Sequence, residues 1–442
     1  MRRGTWLWAV VTIGAFGILP ALAQSNPVFV PLPAGAKALL YRPDNNPSPQ
    51  VAVLTVHRTG NKFNAPECTE LAKRGFAVLC LNTRFENNEA LVDWEKIPLD
   101  VKAGVEYLKN KQGASKVILL GHSGGGATVT FYQAVAEAGP AYCQGPNKIT
   151  QCGNSLAGLP RADGIMLLDA HPSNASNGLR AINPAVFNEE RPDLVDPALD
   201  PFSVENGYNP KGASHYSPEF VKRYSEAQAK RMNRWIDRAL YIRKLMKDGK
   251  WIYPDNDAII IPRGNDRSTN IFAMDPSIMC CTKRPQKLVK NDGTIVTQVV
   301  KTVRPPDTTR AKMNGTFGDG SFNLGGARVL TLTSFLSANA IRATDSLDYN
   351  KIDWCSTNIS VPCALRTAIT VPLFIVAMQA HYFITDSEYF FDTAKSTDKD
   401  FISIEGATHG YSPCENCEGG PYNNSVKNLF DNLAKWLNAH YH

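Results

Sequence analysis

The stretch Lys116-Val117-Ile118-Leu119-Leu120-Gly121-His122-Ser123-Gly124-Gly125 decides how this chain reads. Its apolar run is short and partly β-branched, which predicts a buried strand. The next five residues match G-x-S-x-G, and Gly124 to Gly139 reads as a helix. A serine set between strand and helix in this way can be held on a sharp, strained turn, with its hydroxyl presented as a nucleophile. The glycines permit that turn without Cβ clashes. The helix amino terminus then brings free N–H groups and the positive end of its dipole up to Ser123.

Outward from this point the same alternation continues. Val51–Val56, Phe76–Leu81 and Gly164–Asp169 are further apolar strand runs. Residues 65–74, closed by Gly75, and 94–111 read as the intervening helices. Alternating strands and helices predict the α/β class, a mostly parallel central sheet with helices on both faces. From His171 to about Ala327 the alternation stops. This stretch is too long for a loop and is expected to be an inserted cap. It carries a hairpin signal at Asn291-Asp292-Gly293. It also carries ten Lys or Arg against four Asp or Glu in 218–250, expected as a pair of helices with a solvated basic face. The alternation resumes with a helix expected over 329–343, a strand over 371–377, a helix over 387–394, a strand over 401–404 and a closing helix over 424–440.

A serine hydroxyl is a weak nucleophile and needs a base. Glu405-Gly406-Ala407-Thr408-His409-Gly410 follows the last strand. A histidine leaving a strand can project over its carboxyl edge, where Ser123 stands, so His409 is the candidate base. His440 and His442 are terminal, and His122 lies inside the turn.

Strand, G-x-S-x-G, helix, a cap after the next strand, and a late Gly-Ala-Thr-His together resemble the α/β-hydrolase family over about 24–170 and 330–442. The resemblance implies an eight-stranded sheet and a Ser–acid–His triad in that chain order. The acid departs from the family pattern. The slot after Val371–Ala377 holds Met378-Gln379-Ala380-His381, with His381 in place of the usual Asp. Asp169, at the end of the Gly164–Asp169 strand, is the favoured acid, a position that some relatives such as haloalkane dehalogenases use. Asp386 is the alternative.

The oxyanion site implied by the family takes the backbone N–H of Gly124 and a second donor from the loop after Val56. That loop reads His57-Arg58-Thr59-Gly60. Thr59 is the expected donor by position, with Arg58 as the alternative. The Arg58 guanidinium either contacts a substrate carboxylate or braces the loop. His381 and Tyr382 are expected at the mouth of the site, lining it or packed there.

The ends and the composition set the context. Met1-Arg2-Arg3, an apolar stretch and Ala21-Leu22-Ala23 form a signal-peptide pattern, so cleavage is expected after residue 23. The divisions are then 1–23 signal peptide, 24–170 first part of the core, 171–327 cap and 328–442 second part of the core. Ten cysteines fit an oxidising compartment, secreted or periplasmic. Their spacing suggests Cys143–Cys152, Cys355–Cys363, Cys414–Cys417 and Cys68–Cys80, with Cys280-Cys281 hardest to place. A net charge of +6 without a reader motif excludes a nucleic-acid partner, and no later segment is apolar for long enough to span a membrane. The expected function is hydrolysis of a carboxylic ester, small or polymer-derived, with no metal and no cofactor. Amidase, lactonase and acyltransferase chemistry would use the same groups, and a non-catalytic binding protein is the rival from another class. Oligomeric state is not legible.

Overall fold

Strands whose residues are apolar on both sides must be covered on both sides, and this requirement organises the molecule. A computed structural model describes residues 27–43, 50–253, 256–262, 270–308, 323–324 and 327–441. The expected signal peptide, 1–23, lies outside them. The strands are β1 (Val28–Pro31), β2 (Lys37–Tyr41), β3 (Val51–His57), β4 (Ala77–Asn82), β5 (Lys116–His122), β6 (Gly164–Leu168), β7 (Ala258–Pro262), β8 (Gln286–Val289), β9 (Ile295–Gln298), β10 (Asn323–Leu324), β11 (Ala327–Thr331), β12 (Leu373–Met378) and β13 (Lys399–Ile404). The helices are α1 (Pro66–Ala72), α2 (Ile97–Gln112), α3 (Gly124–Ala138), α4 (Asn174–Ala181), α5 (Pro218–Lys247), α6 (Ile271–Met274), α7 (Leu332–Ser334), α8 (Val361–Thr367), α9 (Ile384–Thr393) and α10 (Ser425–Tyr441).

The main sheet runs β1-β2-β4-β3-β5-β6-β12-β13-β8-β9. Pairing is parallel from β4 through to β8, and antiparallel at the two ends. The period of two along each strand sorts side chains to two cores. Leu54 and Val56 of β3, Leu119 of β5 and Ile375 of β12 pack with α2, α3, α8 and α9. Val53, Ile118 and Val376 point the other way, onto Leu71 of α1 and Leu429, Leu433 and Trp436 of α10.

The structure corrects the sequence reading in four places. The sheet has ten strands, not eight, because the hairpin expected in the cap lies on the sheet edge as β8 and β9. Leu288 and Val289 are fully buried against β13, and this covers an edge that would otherwise stand open. The stretch 329–343 is not one helix. Its start is β11, which pairs with Ile259 and Ile261 of β7, and only 332–339 is helical. The helical period there is real, but a partner strand overrides it for the first three residues. The expected basic helix pair is a single 30-residue helix, α5, started by Ser217, whose side chain accepts from Phe220 N–H. Finally, α4, α5, β7, β11 and the turn at Phe335 share one core, which also takes in Ile352, Trp354 and Cys363. Within and beside the stretch 171–327, expected as a cap, 286–298 sits on the main sheet, while Leu330, Leu332, Phe335 and Leu336 pack with α4, α5 and β7.

All ten cysteines are paired, as Cys68–Cys80, Cys143–Cys152, Cys355–Cys363, Cys414–Cys417 and the neighbours Cys280–Cys281. Among the described residues no helix is long and apolar enough to cross a membrane.

Candidate active site

The site forms at the carboxyl end of the central strands, where β5 turns into α3. Ser123 stands on that turn with φ 55° and ψ −125°, in a region that side-chain-bearing residues avoid. Such strain costs on the order of 1–3 kcal/mol and persists only where the surroundings impose it. They do so here: Ser123 N–H donates to the Leu168 carbonyl of β6 at 3.2 Å, and α3 begins immediately. The turn also needs glycine at its base, since a Cβ on Gly121 would lie 2.6 Å from the Gly125 carbonyl oxygen.

Three elements converge on the serine. His409, on the loop after β13, places Nε2 2.9 Å from Ser123 Oγ. Its Nδ1 lies 2.6 Å from Asp169 Oδ2. Asp169 follows β6 directly, with φ 42°, and is fully buried. Asp386 is elsewhere. Its carboxylate accepts from Arg180 at 3.0 and 3.2 Å and from the Tyr349 hydroxyl at 2.5 Å, so it is committed to a buried ion pair in α9. Of the two aspartates weighed from sequence, only Asp169 meets His409.

Two more histidines bear on this line. His381 does not simply line the mouth. Its Nδ1 lies 2.7 Å from the same Asp169 Oδ2, out of line for a hydrogen bond, and its ring stacks on His409 at 4.4 Å. Burial alone would raise the Asp169 pKa, but the two imidazoles more than offset it and hold the carboxyl well below the usual range. Tyr382 packs on His381 and on Phe272, with the Arg304 guanidinium over its ring. His122, set aside at the sequence level, ties the loops together: its Nε2–H donates to the His409 carbonyl at 2.7 Å.

Among the described residues Asp169, His381 and His409 offer ligand atoms within 4.8 Å of one another. Both Nδ1 atoms crowd one carboxylate oxygen, at 2.6 and 2.7 Å. Two ligands of a tetrahedral ion bonded at about 2.0–2.2 Å lie about 3.4 Å apart, so these closer contacts suit proton transfer better than metal binding.

The loop after β3 lies across the elbow. The expected second donor, Thr59, is not free: its N–H donates to His57 Nδ1 at 3.2 Å and its hydroxyl to Glu89 Oε2 at 2.8 Å. The reason is a turn in which His57 caps its own loop, also accepting from Gly60 N–H at 2.7 Å. The Arg58 Nε donates to both Glu89 oxygens, at 2.8 and 2.9 Å, while Nη1 reaches Gly124. His171 also approaches Gly124. His57 and His171 were missed from sequence as site residues. Their only signal is position, one at the end of β3 and one two residues after Asp169. The small cavity lined by Gly178, Ile182, Met232, Ile261 and Phe335 belongs to the cap core and does not include Ser123.

So many enclosed imidazoles carry a pH cost. Burial lowers the pKa of His57, His122, His171 and His381, that of His122 to about 3, and for His381 it outweighs the raising effect of Asp169. Their folded values lie below the unfolded value of about 6.5. The unfolded chain therefore gains protons first as pH falls below about 6.5, and stability, complete above that value, is lost progressively. The apparent Tm is expected to fall from pH 7 to pH 5, with each such histidine contributing up to ~1.4 kcal/mol per pH unit. A flat thermal-unfolding profile over that window would count against neutral burial.

No protein-family model and no curated protein matches the sequence. Solved structures do align with it. The esterase domain of a Rhodothermus marinus protein shares 12% identity over 94% of this chain and 98% of that chain, with a TM-score of 0.37. The siderophore hydrolase EstB from Aspergillus fumigatus shares 11% over 94% and 98%, with a TM-score of 0.42. A monoglyceride lipase variant from Saccharomyces cerevisiae shares 14% over 94% of both chains, with a TM-score of 0.40. At these scores the likeness adds nothing to what the strand order provides. That order, with the strained serine turn between β5 and α3 and the histidine loop after β13, gives this chain the α/β-hydrolase fold.

Proposed function

We propose that this chain is an exported serine hydrolase that cleaves a carboxylic ester through an acyl-enzyme. Ser123 is the nucleophile, His409 the base and Asp169 the acid. The observation that carries the reading is the continuous line Ser123 Oγ, His409 Nε2, His409 Nδ1, Asp169 Oδ2, with contacts of 2.9 and 2.6 Å.

The chemistry follows from that line. His409 Nε2 takes the Ser123 proton as Oγ attacks the ester carbonyl carbon. Asp169 holds Nδ1–H and stabilises the imidazolium that forms. The carbonyl oxygen becomes an oxyanion beside the Gly124 N–H at the start of α3. The intermediate collapses, the C–O bond breaks, and the alcohol leaves with the proton held on Nε2. Water, deprotonated by His409, attacks the acyl carbon, and release of the acid restores Ser123. Each step uses the protein's own groups.

The paired cysteines and the signal-peptide pattern support export, to the periplasm or beyond. The cap around α4 and α5 would shape access for a small or polymer-derived ester. The test is the intact mass of the mature protein after exposure to a fluorophosphonate, followed by peptide mapping. One adduct on Ser123, lost in His409→Ala, is expected. Folded protein that takes up no adduct and hydrolyses no ester would leave a binding protein on a hydrolase fold as the better reading. Product analysis with added alcohol separates hydrolysis from acyl transfer.

A further inference from the structure

We propose that the oxyanion is held by two side-chain donors, His57 Nε2–H and Arg58 Nη1–H, together with the Gly124 N–H, so that side chains of the β3 loop replace a backbone amide as the second donor. This rests on the hydrolase reading and deepens it.

Hydrogen-bond accounting fixes the His57 tautomer. Its Nδ1 faces two backbone N–H groups, those of Gly60 at 2.7 Å and Thr59 at 3.2 Å. Nδ1 must therefore present a lone pair, and a neutral imidazole then carries its proton on Nε2. That Nε2 lies 3.4 Å from Arg58 Nη1, which can only donate. Two donors do not bond to each other. They converge on one shared acceptor, and an oxygen bearing developing negative charge is the acceptor that best satisfies both.

The place of convergence is the residue after the nucleophile. A Cβ on Gly124 would lie 2.0 Å from Arg58 Nη1 and 2.6 Å from His57 Nε2, so only glycine lets these donors come so near. Neither group is free to swing away. Arg58 Nε is held by both oxygens of buried Glu89, and Glu89 in turn accepts from Thr59 Oγ1 at 2.8 Å and Asn174 Nδ2 at 3.0 Å. His57 stays neutral because burial, then Arg58, Lys62, His171 and His122, push its pKa well down. A neutral imidazole with a fixed proton is a preorganised donor: it needs no reorganisation when charge appears. As Ser123 attacks, the carbonyl electron pair moves onto oxygen and these donors bind it more strongly. The pair returns on collapse, and neither His57 nor Arg58 gains or loses a proton.

His57 has two separable roles, since Nδ1 braces the loop and Nε2 donates. His57→Asn places an acceptor near the Nδ1 position and removes the reach of Nε2. His57→Gln places an amide N–H near the Nε2 position and removes the brace. With a p-nitrophenyl ester, His57→Asn is expected to lose roughly 10²–10³-fold in kcat with little change in KM or Tm, the range for one oxyanion donor. His57→Gln is expected to stay within about tenfold in kcat but to melt lower. The reverse order, or equal losses in both variants, would overturn the donor role while the active wild type kept the hydrolase reading intact. A folded wild type that neither labels nor hydrolyses would overturn both.

Discussion

Asp169→Asn is expected to lower ester turnover by about 10⁴-fold while the protein remains folded. The carboxylate accepts from His409 Nδ1 at 2.6 Å and fixes which imidazole nitrogen faces Ser123. An asparagine can present an N–H there instead, which turns the tautomer round and leaves Nε2 protonated and unable to act as base. The paired measurement is Asp386→Asn. That aspartate holds Arg180 and Tyr349 in a buried cluster, so its loss should be read in stability, at about 3–5 kcal/mol, with kcat preserved in the cold. Near wild-type turnover in Asp169→Asn, with turnover lost in folded Asp386→Asn, would reverse the assignment.

Ser123→Ala is expected to lower kcat by about 10⁶-fold, because among the described residues Ser123 Oγ is the hydroxyl that meets His409 Nε2. The same position should show a trade between activity and stability. At φ 55° a side chain is strained, so Ser123→Gly should be inactive yet more stable by about 1 kcal/mol. Thermal unfolding beside turnover checks both. Substantial ester hydrolysis in Ser123→Ala would move the nucleophile elsewhere.

Much of the fold could be read locally because its signals are local. Val117 to Leu120 is a short, partly β-branched apolar run that reads as a buried strand, and the glycines around Ser123 permit a sharp turn there. The cysteine pairs with short spacing were legible for the same reason: 8, 9 or 12 residues leave few other partners in reach. The hairpin signal at Asn291-Asp292-Gly293 is local too, yet nothing in that sequence says which sheet the hairpin joins. That depends on β13 having an open edge, a fact about a strand more than 100 residues away. The stretch after Ala327 failed for the complementary reason, since its helical period was real but β7 supplied a pairing partner.

The site divides in the same way. By itself the sequence determined the serine on its turn, the histidine on the loop after the last strand, and a short choice of acids, because strand ends and turn glycines are local signals. Only the tertiary structure separates Asp169 from Asp386, which carry the same carboxylate and differ in what lies opposite: two imidazoles for one, a guanidinium for the other. Only it turned Thr59 inward and brought His57 and Arg58 up to Gly124. The direction in which a loop side chain points is set by the hydrogen bonds available around it, and those are made by residues far apart in the chain.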